Sequence, residues 1–220
     1  MSPFRPAPAV AAAVIGLMAA GAPHAFAAPA KWTVDKAASR LGFRTSFAGQ
    51  AVRGAFRSWD ADIAFDPKAP AASRATVTVQ VASAVTGDAS KDQALPTGDW
   101  FDVAHFPRAT FTTTAIKDLG GGRYQAAGTL SLRGVSRAVV LPFTLAITGD
   151  QAKMTGSAEV NRSAFGVGQG QFKSGDTVPL KVVIEISLTA HKAKWSAASR
   201  RASRPTPCTT VAWPIGGFCC

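Results

Sequence analysis

The sequence predicts an all-β fold of about eight antiparallel strands with a short helical insertion. Three observations predict it. Apolar residues recur at every second position through most of the chain, the period of a strand with one buried face. Glycine- and proline-rich turns such as "DPKAPAAS" and "DLGGGR" punctuate these runs. No long segment carries the 3.6-residue period of an amphipathic helix.

The chain has 220 residues, and its two ends read differently from its middle. Residues 1–27 have Arg5 near the start, an apolar run from about Ala9 to Ala22, and small residues at Ala25 and Ala27. That order is the pattern of a secretory signal peptide cut after Ala27. The run is short and proline-flanked for a membrane span. Residues 28–195 are expected to fold as one domain outside the cytoplasm, in the periplasm or secreted. Residues 196–220, rich in Ser, Ala, Arg and Pro, are expected to form a disordered tail. All three cysteines (Cys208, Cys219, Cys220) fall in that tail, so the domain cannot depend on an internal disulfide.

The strands follow in order. "SRLGFRTSF" sets Leu41, Phe43, Thr45 and Phe47 on one face. "QAVRGAFRSWDADIAF" continues with Val52, Gly54 and Phe56, then Ile63 and Phe65. "RATVTVQV" turns Val77, Val79 and Val81 inward. The longest irregular stretch, "DQALPTGDWFDVAHFPRATF" (Asp92–Phe111), comes next. It reads as a crossover with a short helical turn. Asp99 would cap that turn, and Trp100, Phe101 and Phe106 would pack inward and close one end of the interior. "RATFTTTAI" and "YQAAGTLSL" resume strand character, joined by "DLGGGR". "AVVLPFTLAI" alternates Val139, Leu141, Phe143, Leu145 and Ile147 against outward residues, with Pro142 suggesting an edge or a bulge. "KMTGSAEVN" and "PLKVVIEISLTAH" close the domain, the latter with Val182, Ile184, Ile186 and Leu188 on one face. A barrel and a two-sheet sandwich predict nearly the same alternation, so periodicity leaves both open.

The formal charge of +11 falls to +7 between Ala28 and Trp195, where 20 Lys or Arg face 13 Asp or Glu. These charges are scattered singly, without a basic helix or stripe, which argues against a nucleic-acid partner. Such a surface suits solvent, or transient contact with an anionic membrane surface.

The ordered blocks resemble the YceI-like family of bacterial periplasmic, polyisoprenoid-binding proteins over Lys31 to Ala190. The resemblance rests on "WTVDKAASRLGFRTSF", "VRGAFRSWDADIAFDP", "GDWFDVAHFPRATF", "YQAAGTLSLRGVSRAVVLPF", "NRSAFGVG" and "VPLKVVIEISLTA", in that order. It implies an eight-stranded antiparallel, lipocalin-like barrel. It also implies a bound isoprenoid quinone or polyprenyl lipid, with no cofactor required and no catalysis. A homodimer and an envelope stress role through a protein partner are further readings.

Under that resemblance the expected ligand contacts are Leu41, Phe43, Phe47, Phe56, Phe65, Val79, Trp100, Phe101, Phe106, Phe111, Leu130, Leu141, Phe143, Leu145, Phe165, Ile184 and Ile186. A solid core would use the same side chains. Arg40, Arg44, Arg53 and Arg57 read first as solvated charges, with a polar head group as the alternative partner for one or two of them. The domain holds two histidines, His105 and His191, neither in metal-ligand spacing. Asp99, Asp102 and His105 are three apart and would share a helical face, but no nucleophile or oxyanion signature accompanies them.

Overall fold

A computed structural model describes residues 28–193. The signal-peptide and tail expectations lie outside the described residues. Eleven strand segments form a single sheet: β1 (Lys31–Val34), β2 (Arg40–Phe47), β3 (Gln50–Phe56), β4 (Trp59–Ala64), β5 (Arg74–Gln80), β6 (Ala84–Val85), β7 (Arg108–Gly120), β8 (Arg123–Leu132), β9 (Val135–Thr148), β10 (Gln151–Asn161) and β11 (Lys181–Lys192).

These segments compose eight staves. Lys31 pairs with Ala64 in the β1–β4 ladder, and Leu41 pairs with Phe56 in the β2–β3 ladder. β1 and β2 are thus one stave broken at residues 35–39, and β3 and β4 are another broken at 57–58. β5 and β6 make a third, interrupted by a turn of 3-10 helix at Val81–Ser83. The last stave returns to the first through Trp32↔Lys192, Thr33↔His191 and Val34↔Ala190. Every ladder is antiparallel, and this β1–β11 pairing closes the sheet into a barrel rather than a sandwich.

Tight hairpins fix the registers. Ala48 and Gly49 join β2 to β3, and Arg133 and Gly134 join β8 to β9; both pairs have positive φ, as a type I′ turn requires. A Cβ at Gly134 would stand 2.7 Å from the Phe106 ring, which packs on the turn.

One expectation is narrowed and one corrected. Pro142 marks a local edge and not a bulge: it pairs with Gln125 in the β8–β9 ladder but has no partner on β10. It stands one residue beyond the last β9–β10 pair, Phe143↔Gly156. Its missing N–H removes a donor there. The register shifts lie in the β7–β8 ladder instead, between Thr113 and Ala115 and between Asp118 and Gly120. Nor does Asp99 cap a helix. The helix is α1 (Ala89–Ala94), and its N-cap is Asp88, whose side chain accepts from the N–H groups of Ser90 and Lys91 at 3.0 and 3.2 Å. No helix among the described residues is long and apolar enough to cross a membrane.

Candidate functional site

Inward-facing side chains of the eight staves leave the barrel hollow. The cavity has a volume of about 580 Å³ and is lined overwhelmingly by Val, Leu, Ile, Phe and Ala. On β11, lining residues run from Val182 to Ala190, an inner face about 26 Å long at ordinary strand rise. The volume falls within the range of small-molecule sites.

One end is closed. Trp32, Phe65, Tyr124, Ala152 and Ala190 are buried there in one cluster. Trp32 Nε1 donates to the Phe65 carbonyl at 3.0 Å, and Tyr124 lies edge-on to Phe65 with centroids 5.5 Å apart. The other end is the mouth. The β2–β3 hairpin, α1, the β8–β9 hairpin and the 162–180 loop surround it, and Phe47 there is 36 % exposed.

Two arginines build the mouth. Arg162 is only 4 % exposed and has no acidic partner among the described residues. Its five N–H groups all meet backbone carbonyls. Nε donates to Pro179 at 3.1 Å, Nη1 to Val167 at 2.8 Å and Gly168 at 3.1 Å, and Nη2 to Phe172 at 2.5 Å and Val178 at 2.7 Å. Burial lowers its pKa from the ordinary arginine value, while the gathered carbonyl dipoles favour the cation. Arg133 ties three segments together: it donates to the carbonyls of Trp100, at 3.0 Å, Gly98 and Gly166. Over these supports Trp100 packs on Phe172, with ring centroids 5.0 Å apart.

α1 forms the remaining rim. Asp92 Oδ1 accepts from both the N–H and the hydroxyl of Thr86 at 2.6 Å. Those bonds, the hydroxyl's first, hold the Asp92 carboxyl below the usual carboxylate range. The Lys91 ammonium and then its backbone N–H do the same for Asp88. Lys91 Nζ also sits 5.5 Å from the centroid of Phe47.

The expected contact residues line this cavity, except Phe106 and Phe165. Phe106 lies outside because it covers the Gly134 turn. Phe165 is fully packed behind the mouth in a 3-10 turn, Arg162–Phe165. Arg40, Arg44, Arg53 and Arg57 are exposed and absent from the lining; Arg44 pairs with Glu185 at 3.2 Å. Asp102 and His105 are joined at 2.8 Å outside the lining. Asp99 contributes its carbonyl, which accepts from Gly168 and Gln169 at 2.8 and 2.7 Å. No group of three or more His, Cys, Asp or Glu able to hold a metal forms among the described residues.

Sequence reasoning missed Arg162, Lys91 and Phe172 as parts of the mouth. "GDASKDQA" does carry a readable signal for α1, an Asp followed by an acid in the first turn. Arg162 and Phe172 carry no local signal, since carbonyls and rings distant in sequence give them their roles.

The aromatic lining depends on glycines across the strands. Phe43 pairs with Gly54, where a Cβ would overlap the Phe43 ring. A Cβ at Gly128 would stand 2.6 Å from the ring of Phe111.

Closed staves, a blind end and an apolar lumen with a polar rim define a lipocalin-like β-barrel. The chain belongs to the YceI-like domain family, whose pattern matches residues 32–190. It is 30 % identical over 185 residues to a UPF0312 protein of Pseudomonas syringae pv. tomato, covering 80 % of this chain and 95 % of that one. It is 34 % identical over 127 residues to protein YceI of Salmonella arizonae, covering 56 % and 66 %. Among solved structures it resembles Burkholderia cenocepacia BcnA, with 34 % identity and a TM-score of 0.69 over 71 % of this chain and 98 % of that one. A polyisoprenoid binding domain from Saccharophagus degradans, implicated in plant cell wall breakdown, shares the fold at 16 % identity and a TM-score of 0.60, covering 74 % and 99 %.

Proposed function

We propose that this chain is an exported binding protein that carries or sequesters an isoprenoid lipid or quinone inside its barrel. The observation that carries the reading is the blind apolar cavity of about 580 Å³ with polar groups gathered at its mouth. A long hydrocarbon chain gains about 0.8 kcal/mol for each methylene it buries, so such a lumen favours an extended amphiphile. The polar groups at the mouth are engaged in holding its segments together, which suits binding better than catalysis. Export to the periplasm or beyond rests on the signal-peptide pattern of residues 1–27.

The deciding experiment is extraction of the purified protein with organic solvent followed by mass spectrometry. A stoichiometric isoprenoid lipid is the expected result. Repeated recovery of empty protein, with no uptake of an added ubiquinone or polyprenol, would overturn the reading.

A further inference from the structure

Folding gathers four arginines that stand apart in the sequence. Arg40, Arg44, Arg53 and Arg57 alternate with cavity-lining residues of β2 and β3, and all four are exposed on the outer wall. Arg44 stands directly opposite Arg53 in the β2–β3 ladder, and Arg40 and Arg57 flank the ladder's last pair, Leu41↔Phe56. Between the two couples lie only Gly42 and Ala55, opposite each other on the same face. Four residues of strand set the couples about 13 Å apart.

Like charges directly opposite one another destabilise a ladder. One acid relieves this face: Glu185 on β11 meets Nε of Arg44 at 3.2 Å, with both side chains about half exposed. Arg40, Arg53 and Arg57 form no ion pair among the described residues, and the nearby acids are engaged elsewhere, Asp60 by Lys36, Asp88 by Lys91 and Glu159 by Lys181. Four arginines against one glutamate leave a net charge of +3 on two strands. The tip of the same hairpin is different. Residues 47–51 (FAGQA) carry no charge and are exposed, and the Phe47 ring lies 6.4 Å from Phe172 at the mouth. A basic shaft with an aromatic tip suits the boundary between bilayer phosphates and hydrocarbon. Guanidinium groups also match phosphate oxygens two at a time.

We propose that the β2–β3 hairpin docks the barrel on an anionic phospholipid surface. Arg40, Arg44, Arg53 and Arg57 meet the phosphates, Phe47 enters beneath them, and the cavity mouth is brought against the membrane. The docking face stands apart from the lipid-binding reading above, to which it adds the place where cargo is exchanged.

Co-sedimentation of the full chain with vesicles tests it, using phosphatidylcholine alone and an equal mixture with phosphatidylglycerol, both free of isoprenoid. The wild type should bind the mixed vesicles, and added salt should weaken the binding. Arg40→Gln/Arg53→Gln/Arg57→Gln leaves the Arg44–Glu185 pair intact and should weaken binding about a hundredfold, at about fivefold for each cation at the surface. Lys68→Gln/Lys117→Gln/Lys153→Gln removes the same charge from exposed residues elsewhere and should weaken it by about fivefold at most. Phe47→Ser should also weaken it. Equal losses in the two triple variants overturn the hairpin as the docking face, as does an undiminished affinity in the arginine variant. Unchanged binding by Phe47→Ser overturns the inserted tip. A wild type that binds neither vesicle overturns membrane docking, and capture of soluble polyphosphate in its place assigns the face to a soluble polyanion. Because the vesicles hold no isoprenoid, failure here leaves the cargo reading standing, and a barrel that binds vesicles but no isoprenoid fails only that reading.

Discussion

The guanidinium carbon of Arg162 lies 5.8 Å from the ring centroid of Trp100. A buried cation thus supports the aromatic face of the mouth while its donors gather the carbonyls of the 162–180 loop. Arg162→Met removes every one of those bonds and leaves buried carbonyls unpaired. It should cost about 3–5 kcal/mol, the usual scale for breaking a buried charged network. Arg162→Lys keeps the charge but has three donors instead of five, and should recover only part of the loss. Urea midpoints measure the cost, and limited proteolysis within residues 166–178 reports whether the loop is released.

Trp100 and Phe101 are neighbours with different work. Trp100 is half-buried at the mouth against Phe172, whereas Phe101 is buried in the core, 6.1 Å from Phe56. Trp100→Ala should speed loss of a bound isoprenoid with the unfolding midpoint largely kept. Phe101→Ala should destabilise the fold by about 3–5 kcal/mol. Dissociation rates and denaturant titrations on the two variants separate a gate from a brace; identical behaviour of the pair would contradict the assignment.

At the closed end, Trp32→Phe keeps an aromatic ring but removes the donor to the Phe65 carbonyl. An unpaired buried carbonyl there should cost about 1–3 kcal/mol. Chemical denaturation measures it.

Acid should loosen α1 before neutral pH does anything to it. Hydrogen bonds lower the folded-state pKa of both Asp92 and Asp88 below the ordinary 3.8. The contribution of those bonds is fully present above that value and is lost as pH falls from it through the lowered values. The protection factors of the Thr86, Ser90 and Lys91 amides, corrected for the intrinsic pH dependence of exchange, should therefore be constant through neutral pH and fall only in strong acid. Asp92→Asn should remove the acid-dependent step at Thr86. An opening of the rim between about pH 5 and 7 would contradict this account.

Much of the barrel was legible because its staves obey a local rule. Val182, Ile184, Ile186 and Leu188 alternate in sequence and all line the cavity. Closure was not legible, because it depends on Trp32 meeting Lys192 across almost the whole domain. The helix was misplaced for a different reason. The Asp-rich crossover offers several residues able to cap a turn, and only the structure shows Asp88 doing so. Phe106 and Phe165 read as interior rings, and both are packed, but Phe106 covers a glycine turn and Phe165, at the end of a 3-10 turn, joins the buried core without lining the lumen.

The calibre of this barrel is set by atoms that are missing from its wall. Phe43 and Phe111 lie back where Gly54 and Gly128 have no side chain, and the bore stays wide because those rings are recessed. A methyl group at Gly54, where a Cβ would meet only the Phe43 ring, would push that ring toward the axis and narrow the passage. The girth of cargo the protein admits is therefore governed by residues that never touch it, and it can be retuned without changing a single lining side chain.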